Sequence, residues 1–421
     1  MMAARDLLSG LRVCLVTPGH PSTNPRLVKE ADALVECGAV VRVVHGRFLP
    51  WAERTDAVFA DRNWRRDGVP FGPQAGRAIW LRQGIALRAA RLGAAMGLPV
   101  RAESTFHPVV PALAAAAARE PADVYIGHNL AGGIAAARAA RRHGAALGFD
   151  AEDDHVGELP DQPDHGGERA RRQAILERLL HQCVHRTAAS PRIAATLVAE
   201  HGVAVTPVLN VFPRADVAGL EPVVAAAPSL YWLSQTIGPQ RGLESIVDVL
   251  PLLPPATTLV LRGEPRQPYI DGLRERLRAA GGDPLRFVVE PVLAPDRVTA
   301  SFHGHALALS LEIGDCRNHH DCLGNKIFHA LLAGTPVLLS DTPAQRELAP
   351  ALGPAALCVD LADRTGLATR LRGWLADAAG RDAAARHAWD LARRRYCWDV
   401  EKGVFLRALR DALAGAGVVP R

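Results

Sequence analysis

The feature that most constrains this chain is an alternation of short, nearly continuous apolar runs with amphipathic helical stretches, present in both halves. Leu11–Thr17 is an apolar run of strand length, followed by a loop of Gly, Pro, Ser and Asn (Pro18–Pro25). Arg26–Cys37 then carries Leu27, Ala31, Leu34 and Val35 at the spacing of one helical face, with Gly38 as a C-cap candidate. Val40–Val44 is a second β-branched run. Apolar runs without alternation expect burial on both faces, so the unit reads as strand, helix, strand in a parallel sheet. The pattern recurs at Asp123–Gly127, Ala131–His143 and Ala145–Phe149. A polar loop, Asp150–Gly167, leads to a helix from Glu168 to Arg186, and Thr187–Val211 reads as strand, helix and strand.

A second series opens at Ser229–Leu233, with a helix at Leu243–Leu250 and another at Lys326–Ala333. Its further strands are Thr258–Leu261, Arg286–Val289, Ala306–Leu311 and Thr335–Ser340, and the tail from Asp363 is helical. Strands and helices alternating twice over predict an α/β protein of two Rossmann-like domains. Between the series, Phe212–Pro228 loses periodicity and gathers Pro and Ala. The expected division is residues 1–212, a linker at 213–228, and residues 229–395.

Composition agrees with two cores, since 421 residues exceed what one usually serves. With 48% hydrophobic and 22% charged residues the chain reads as soluble and globular. No apolar run approaches the roughly 20 residues that span a bilayer. Nothing at the N-terminus reads as a signal peptide. The seven cysteines are odd in number and scattered, which suits free thiols in a reducing cytoplasm. Of 49 cationic residues only Lys29, Lys326 and Lys402 are lysines, an Arg bias typical of a GC-rich bacterial genome. Between Arg62 and Arg101 eight arginines face one acid, Asp67. That stretch suits either a solvated Arg-rich face or peripheral contact with anionic lipid or an acidic acceptor. No aromatic interleaving accompanies the charge, so nucleic acid is not expected.

The densest chemical signal is Gly324-Asn325-Lys326-Ile327-Phe328-His329-Ala330-Leu331-Leu332-Ala333-Gly334-Thr335-Pro336-Val337. A glycine opens a helix there, with a lysine in its first turn. Unpaired N–H groups, the helix dipole and a full cationic charge together make an anion site. The segment resembles the PNK-F-E-Y-L-A-A-G-x-P-V stretch of the family 4 glycosyltransferases, which have the GT-B fold. Six further segments match in the same order. These are Thr17-Pro18-Gly19 with Asn24-Pro25-Arg26, Asp123 to Asn129, and Phe149-Asp150-Ala151-Glu152-Asp153. Then come Val208-Leu209-Asn210-Val211 with Pro213, Tyr231 to Gly238 with Arg241-Gly242-Leu243-Glu244, and Leu259 to Glu264. The similarity spans roughly residues 11–410 and is weakest over Glu53–His107.

The resemblance implies two Rossmann-like domains facing an interdomain cleft, with a C-terminal helix (396–421) crossing back to the first and Trp398 anchoring it. It implies transfer of a sugar from a nucleoside-diphosphate sugar, without metal or other cofactor and with retention. Gly19, Arg241, Gly324, Asn325 and Lys326 would hold the donor diphosphate; Gly263, Pro291 and His329 would meet the nucleoside. His128, at a strand's C-terminal end, would lie near the transferred sugar. Asp153, beside Asp154 and His155, suits a general base toward the acceptor hydroxyl. Asp315, Arg317 and Asp321 suit sugar hydroxyls, and Asp321 joins His128 and Asp153 as a candidate catalytic residue. The family's two glutamates are here Asp321 and His329, Glu152 stands for a histidine and Asn129 for an aspartate. Cys316, His319, His320 and Cys322 lack the paired spacing of a zinc site. Two rival readings stay open: a nucleotide-sugar epimerase or phosphorylase-like enzyme, and a non-catalytic nucleotide-sugar-binding protein. The acceptor is not specified by the sequence.

Overall fold

In the computed structural model, which describes residues 8–160, 162, 165–223 and 228–418, the first apolar run forms β1 (Arg12–Thr17), buried in all but its first residue. Asn24 caps the next helix, α1 (Pro25–Glu36), its side-chain oxygen accepting from the Leu27 N–H. Pro25 fills a first-turn position, where the missing N–H costs nothing. There follow β2 (Val40–Arg47), α2 (Pro50–Thr55), β3 (Arg65–Pro70), α3 (Arg77–Ala95) and α4 (Val110–Ala117). Next come β4 (Val124–His128), α5 (Asn129–His143), β5 (Ala146–Ala151) and α6 (Gly166–Gln182). The series ends with β6 (His185–Ala188), α7 (Pro191–His201) and β7 (Thr206–Pro207). The strands make one seven-stranded sheet in the order β3-β2-β1-β4-β5-β6-β7, with parallel pairing throughout. The order reverses between β1 and β4, and in such sheets ligands lie beyond the strands' C-terminal ends at that switch.

The junction of β4 and α5 depends on glycine. A Cβ on Gly127 would lie 2.3 Å from the Gly133 Cα, and one on Gly132 would lie 2.4 Å from the Val16 carbonyl oxygen. Only bare backbone lets α5 press this closely on β1 and β4. Asn129, with φ of 59°, makes the sharp turn from strand to helix, a left-handed conformation that asparagine tolerates better than most residues.

The second series runs β8 (Ser229–Ile237), α8 (Leu243–Val249), β9 (Thr258–Pro265), α9 (Gln267–Ala279), β10 (Phe287–Glu290) and β11 (Leu307–Ser310). It continues with α10 (Arg317–Asp321), α11 (Asn325–Leu332), β12 (Val337–Ser340), α12 (Pro343–Leu352) and β13 (Ala356–Val359). Three helices close it, α13 (Arg364–Ala376), α14 (Ala378–Arg394) and α15 (Trp398–Gly415). Its sheet is six-stranded and parallel, in the order β10-β9-β8-β11-β12-β13. The expected α/β architecture of two Rossmann-like sheets is therefore what the chain adopts.

Two compact units result: residues up to Val208 with those from Lys402 onward, and Leu209–Glu401. In the first, Lys402 pairs with Glu36 at 2.5 Å and Phe405 meets the His185 ring edge-on at 5.8 Å. The aperiodic stretch after Phe212 is tied to the second unit. Phe212 bridges to Cys397, the Trp398 N–H donates to the Phe212 carbonyl at 2.9 Å, and Thr299 Oγ1 donates to Asp216 at 2.9 Å. Residues 224–227 of that stretch lie outside the described residues. The segment Glu53–His107 holds β3 and α3, neither of which the sequence pattern announces. β3 is an edge strand, Arg-Arg-Asp-Gly-Val-Pro, specified by its ladder to β2 rather than by its own residues.

Candidate functional site

At the C-terminal ends of β4 and β5, against α1, the first unit buries a dense charged network. Glu30 lies on the same face of α1 as Leu27, Ala31 and Leu34, so the helix carries a carboxylate into the core. Arg26, also on α1, grips both carboxylate oxygens of Asp150; its NH2 donates to Oδ1 at 2.8 Å, while its NH1 donates to the Val208 carbonyl at 2.5 Å. Thr187 Oγ1 donates to the same carboxylate at 2.6 Å. Burial alone would raise Asp150, but Arg26 outweighs it and holds the carboxyl down at about 2.

His128 is fully enclosed in this network. Its Nδ1 lies 2.9 Å from Glu152 Oε1, and its Nε2 lies 3.3 Å from Glu30 Oε2. Glu152 also accepts from Asn24 at 2.5 Å and from Asn129 at 2.7 Å. Burial pushes the imidazole down, but Glu30, Glu152 and Asp150 together hold it at about 10. The Glu30 carboxyl is raised as well, burial and Asp150 outweighing the pull of His128 and of Arg26, whose Nε lies 3.6 Å from Glu30 Oε1. The Glu30, Asp150 and Glu152 carboxyl groups around His128 thus favour its charged form. Glu30, His128 and Asp150 are close enough together to ligate an ion, but Arg26 already occupies Asp150.

Gly19 sits in the loop after β1, its N–H 3.4 Å from Thr17 Oγ1. Asp153 is part-exposed just beyond β5. Its neighbours are committed locally, Asp154 Oδ1 accepting from the Gly157 N–H at 2.9 Å and His155 Nδ1 lying 3.0 Å from Glu158. The His155 ring is pushed down by burial and raised more by Glu158, so it too favours the charged form.

In the second unit the remaining candidates fall along the C-terminal edge of the six-stranded sheet. Gly324 is the N-cap of α11 and supplies no side-chain cap, so the first-turn N–H groups are not blocked by one. Lys326 follows in that turn, its Nζ 5.5 Å from the Trp232 ring centroid. Burial lowers its ammonium pKa; Glu312 opposes that and the neighbouring Arg241 adds to it, so two cations share this spot. Asn325 is exposed and its Oδ1 accepts from Asn210 at 2.8 Å. Ser310 Oγ and Glu312 Oε1 stand 3.6 and 3.8 Å from where a Cβ on Gly324 would lie. Ser310 Oγ, Glu312 Oε2, Thr342 Oγ1 and both amide atoms of Gln345 are buried without a hydrogen-bond partner. Buried polar groups are normally paired. These atoms gather at the ends of β11 and β12, where Glu312 Oε2 also has His319 Nε2 at 3.8 Å.

The other sequence candidates lie at or just after the ends of β9 and β10, on α10 and α11, or in the loop before α10. Gly263, at the end of β9, has φ of 150°, and a Cβ there would lie 2.3 Å from the Ser234 carbonyl. Pro291 is exposed after β10 and its carbonyl accepts from Arg262 at 3.0 Å. His329 is turned inward from α11. Phe212 stacks on its ring at a centroid distance of 3.4 Å, Phe302 lies near-parallel at 5.7 Å, and Thr299 Oγ1 is 2.9 Å from Nδ1. Asp321 is buried at the end of the short α10. Asp315, Cys316 and His319 approach one another, with Asp315 bonded to the His319 ring, while His320 is spent on the Gly314 carbonyl at 2.8 Å. Sequence reasoning passed over Glu30, Ser310, Glu312, Thr342 and Gln345. Glu30 had a readable signal, a lone acid on the apolar face of α1; the others are polar residues at strand ends, where spacing says nothing.

No family model matches the sequence, and no curated protein does. Solved structures match over nearly their whole length. HepE from Anabaena, in complex with UDP and glucose, is 15% identical with a TM-score of 0.67, covering 95% of this chain and 99% of that one. Sucrose-phosphate synthase from Thermosynechococcus elongatus is 14% identical with a TM-score of 0.70, covering 96% and 100%. A putative UDP-N-acetylglucosamine 2-epimerase from Listeria monocytogenes is 14% identical with a TM-score of 0.56, covering 96% and 97%. At such identities the likeness speaks to architecture alone, and on that it is plain: the chain has the GT-B fold.

Proposed function

We propose that this protein is a glycosyltransferase that takes its sugar from a nucleoside-diphosphate donor held by the second unit. The observation that carries this reading is the edge of the six-stranded sheet. There the α11 N-terminus, Lys326 and Arg241 offer positive charge beside the unsatisfied Ser310 and Glu312. Gly324 and Asn325 present backbone N–H groups to the diphosphate, and the two cations take up charge as it leaves. In the transfer the bond from the anomeric carbon to the diphosphate oxygen breaks. A bond to an acceptor hydroxyl forms, and the hydroxyl proton passes to a base, for which the part-exposed Asp153 is the candidate. His128 contributes fixed charge rather than basicity. No cofactor is needed, since cations and helix N–H groups do what a metal would do for the leaving group. Retention of configuration belongs to the same proposal, resting on the resemblance alone. Gly263 and Pro291 keep their proposed nucleoside contacts and Asp321 its proposed place at the transferred sugar, whereas His329, enclosed by aromatic rings, serves to pack α11.

The test is thermal shift and calorimetry with UDP, GDP, ADP, CMP and dTDP and their sugars, on the wild type and on Lys326→Ala and Arg241→Ala. One nucleoside diphosphate should raise the melting temperature by mass action, and each substitution should weaken its binding at least about tenfold. No binding by any of them at millimolar concentration would overturn the reading. A second reading is an epimerase, supported by the likeness to the Listeria protein. Turnover of the donor with no acceptor present would select it, and strict dependence on an acceptor would exclude it.

A further inference from the structure

Helix α3 (Arg77–Ala95) buries one residue, Gly93, out of nineteen. Two features tie it to the first unit. The Arg91 Nε donates to the Thr105 carbonyl at 3.0 Å, and Gly93 lies close against Val100 and Leu98. The rest of the helix is turned to solvent, and its composition is not that of a solvated helix. Leu81, Ile85, Leu92 and Met96 recur at spacings of four, seven and four residues, one stripe on one face, and are 52, 61, 60 and 64% exposed. Ala78 and Ala89 fill the same stripe, and Leu98, 55% exposed, continues it past the helix end. Helical geometry sets Arg77 and Arg88 along one border and Arg82 along the other. From Arg77 to Arg101 there are five arginines and no acid. Arg77, Arg82 and Arg88 carry no ion pair among the described residues.

An exposed apolar stripe of this length needs cover. A water-facing role would put acids and lysines among the arginines, and an ordinary protein interface would seldom exclude every acid. Aliphatic residues flanked on both sides by arginine alone suit a surface that is oily within and anionic at its rim. We propose that α3 lies in the headgroup layer of an anionic phospholipid membrane. Leu81, Ile85, Leu92 and Met96 insert, and Arg77, Arg82 and Arg88 bind lipid phosphates. The attachment is in-plane, and no helix among the described residues is long and apolar enough to cross a membrane. This inference does not depend on the sugar-transfer reading.

The experiment is co-sedimentation of the full chain with vesicles of phosphatidylglycerol and phosphatidylcholine, and of phosphatidylcholine alone, at low and physiological salt. The wild type should bind the anionic vesicles, more tightly at low salt. The triple variant Leu81→Ser/Ile85→Ser/Leu92→Ser should lose at least tenfold in affinity. The triple variant Arg77→Gln/Arg82→Gln/Arg88→Gln should lose roughly fivefold per arginine. All six sites are exposed, so far-UV circular dichroism and the urea midpoint should not move. If the serine triple does move them, Ile85→Ser alone makes the same comparison. No binding to anionic vesicles would overturn the proposal, as would equal binding by wild type and variants. Self-association abolished by the serine variant, without vesicle binding, would assign the stripe to a second copy of the chain.

Discussion

The two units treat polar groups at the same place in the same way of folding, beyond the C-terminal ends of a parallel sheet, in opposite fashions. In the first, Arg26, Asp150, His128, Glu152 and Thr187 spend their charges and hydrogen bonds on each other. Its Glu30 carboxylate and His128 Nε2, which make no hydrogen bonds, face each other at 3.3 Å. In the second, Ser310, Thr342 and Gln345 leave buried atoms without a hydrogen bond, and Glu312 Oε2 has only His319 Nε2, at 3.8 Å. A closed network holds a backbone in place and has little left for a ligand; an open one costs stability until something fills it. The contrast sets mutually paired charges, with Glu30 and His128 Nε2 left over among them, apart from the set proposed above to hold a ligand.

The largest effect should come from opening the closed network. Asp150→Asn or Arg26→Ala strands a buried charge and should cost roughly 3–5 kcal/mol of stability, read by urea denaturation. A cost below 1 kcal/mol would mean that water already reaches the network, and the contrast would fail. Next, Gly127→Ala forces a Cβ against the Gly133 backbone at 2.3 Å and should cost about 1–3 kcal/mol. It tests whether the β4–α5 junction is what holds His128 and Asn129 in register.

An intermediate effect depends on pH. Burial holds His185, behind the network on β6, down at about 4 against an ordinary value of 6.5. Its neutral form is therefore favoured by folding, a contribution present above pH 6.5 and lost as pH falls through 4. His128 runs the other way, its contribution complete below pH 6.5 and lost as pH rises through 10. Melting temperatures from pH 7 to 4 should fall less steeply in His185→Leu than in the wild type; parallel curves would sink the assignment.

The smallest effect should come from the open set. Gln345→Leu or Ser310→Ala removes an unpaired group, so stability without ligand should change by less than about 1 kcal/mol, in either direction. Nucleotide binding should nonetheless weaken. A large loss of stability from either would show that these groups have partners and would close the supposed site.

Much of the fold could be read directly. The strands β1, β2, β4 and β5, and the helices α1 and α5, stand out because burial on both faces writes long apolar runs and helical periodicity writes the faces that cover them. The helix start at Gly324, Asn325 and Lys326, proposed above as the anion site, was readable for the same reason, since a glycine before a lysine at a helix start is a local pattern. What escaped notice was set by distant parts of the chain. β3 is a strand because β2 lies beside it, and Phe212 leaves the aperiodic stretch by pairing with Cys397. His329 was read as a ribose contact because nothing nearby in sequence reveals Phe212 and Phe302 closing on its ring. His128 looked like an active-site histidine; its enclosure depends on Glu30, almost a hundred positions earlier.

The first unit is completed by residues from Lys402 onward. A ribosome making this chain delivers nearly all of that unit early, then the whole of the second, and only then the piece that seats Phe405 on His185. Until those residues are made the nascent first unit waits with that place empty, and a chain stopped before Phe405 would be a protein whose beginning, not its end, is the part left unfinished.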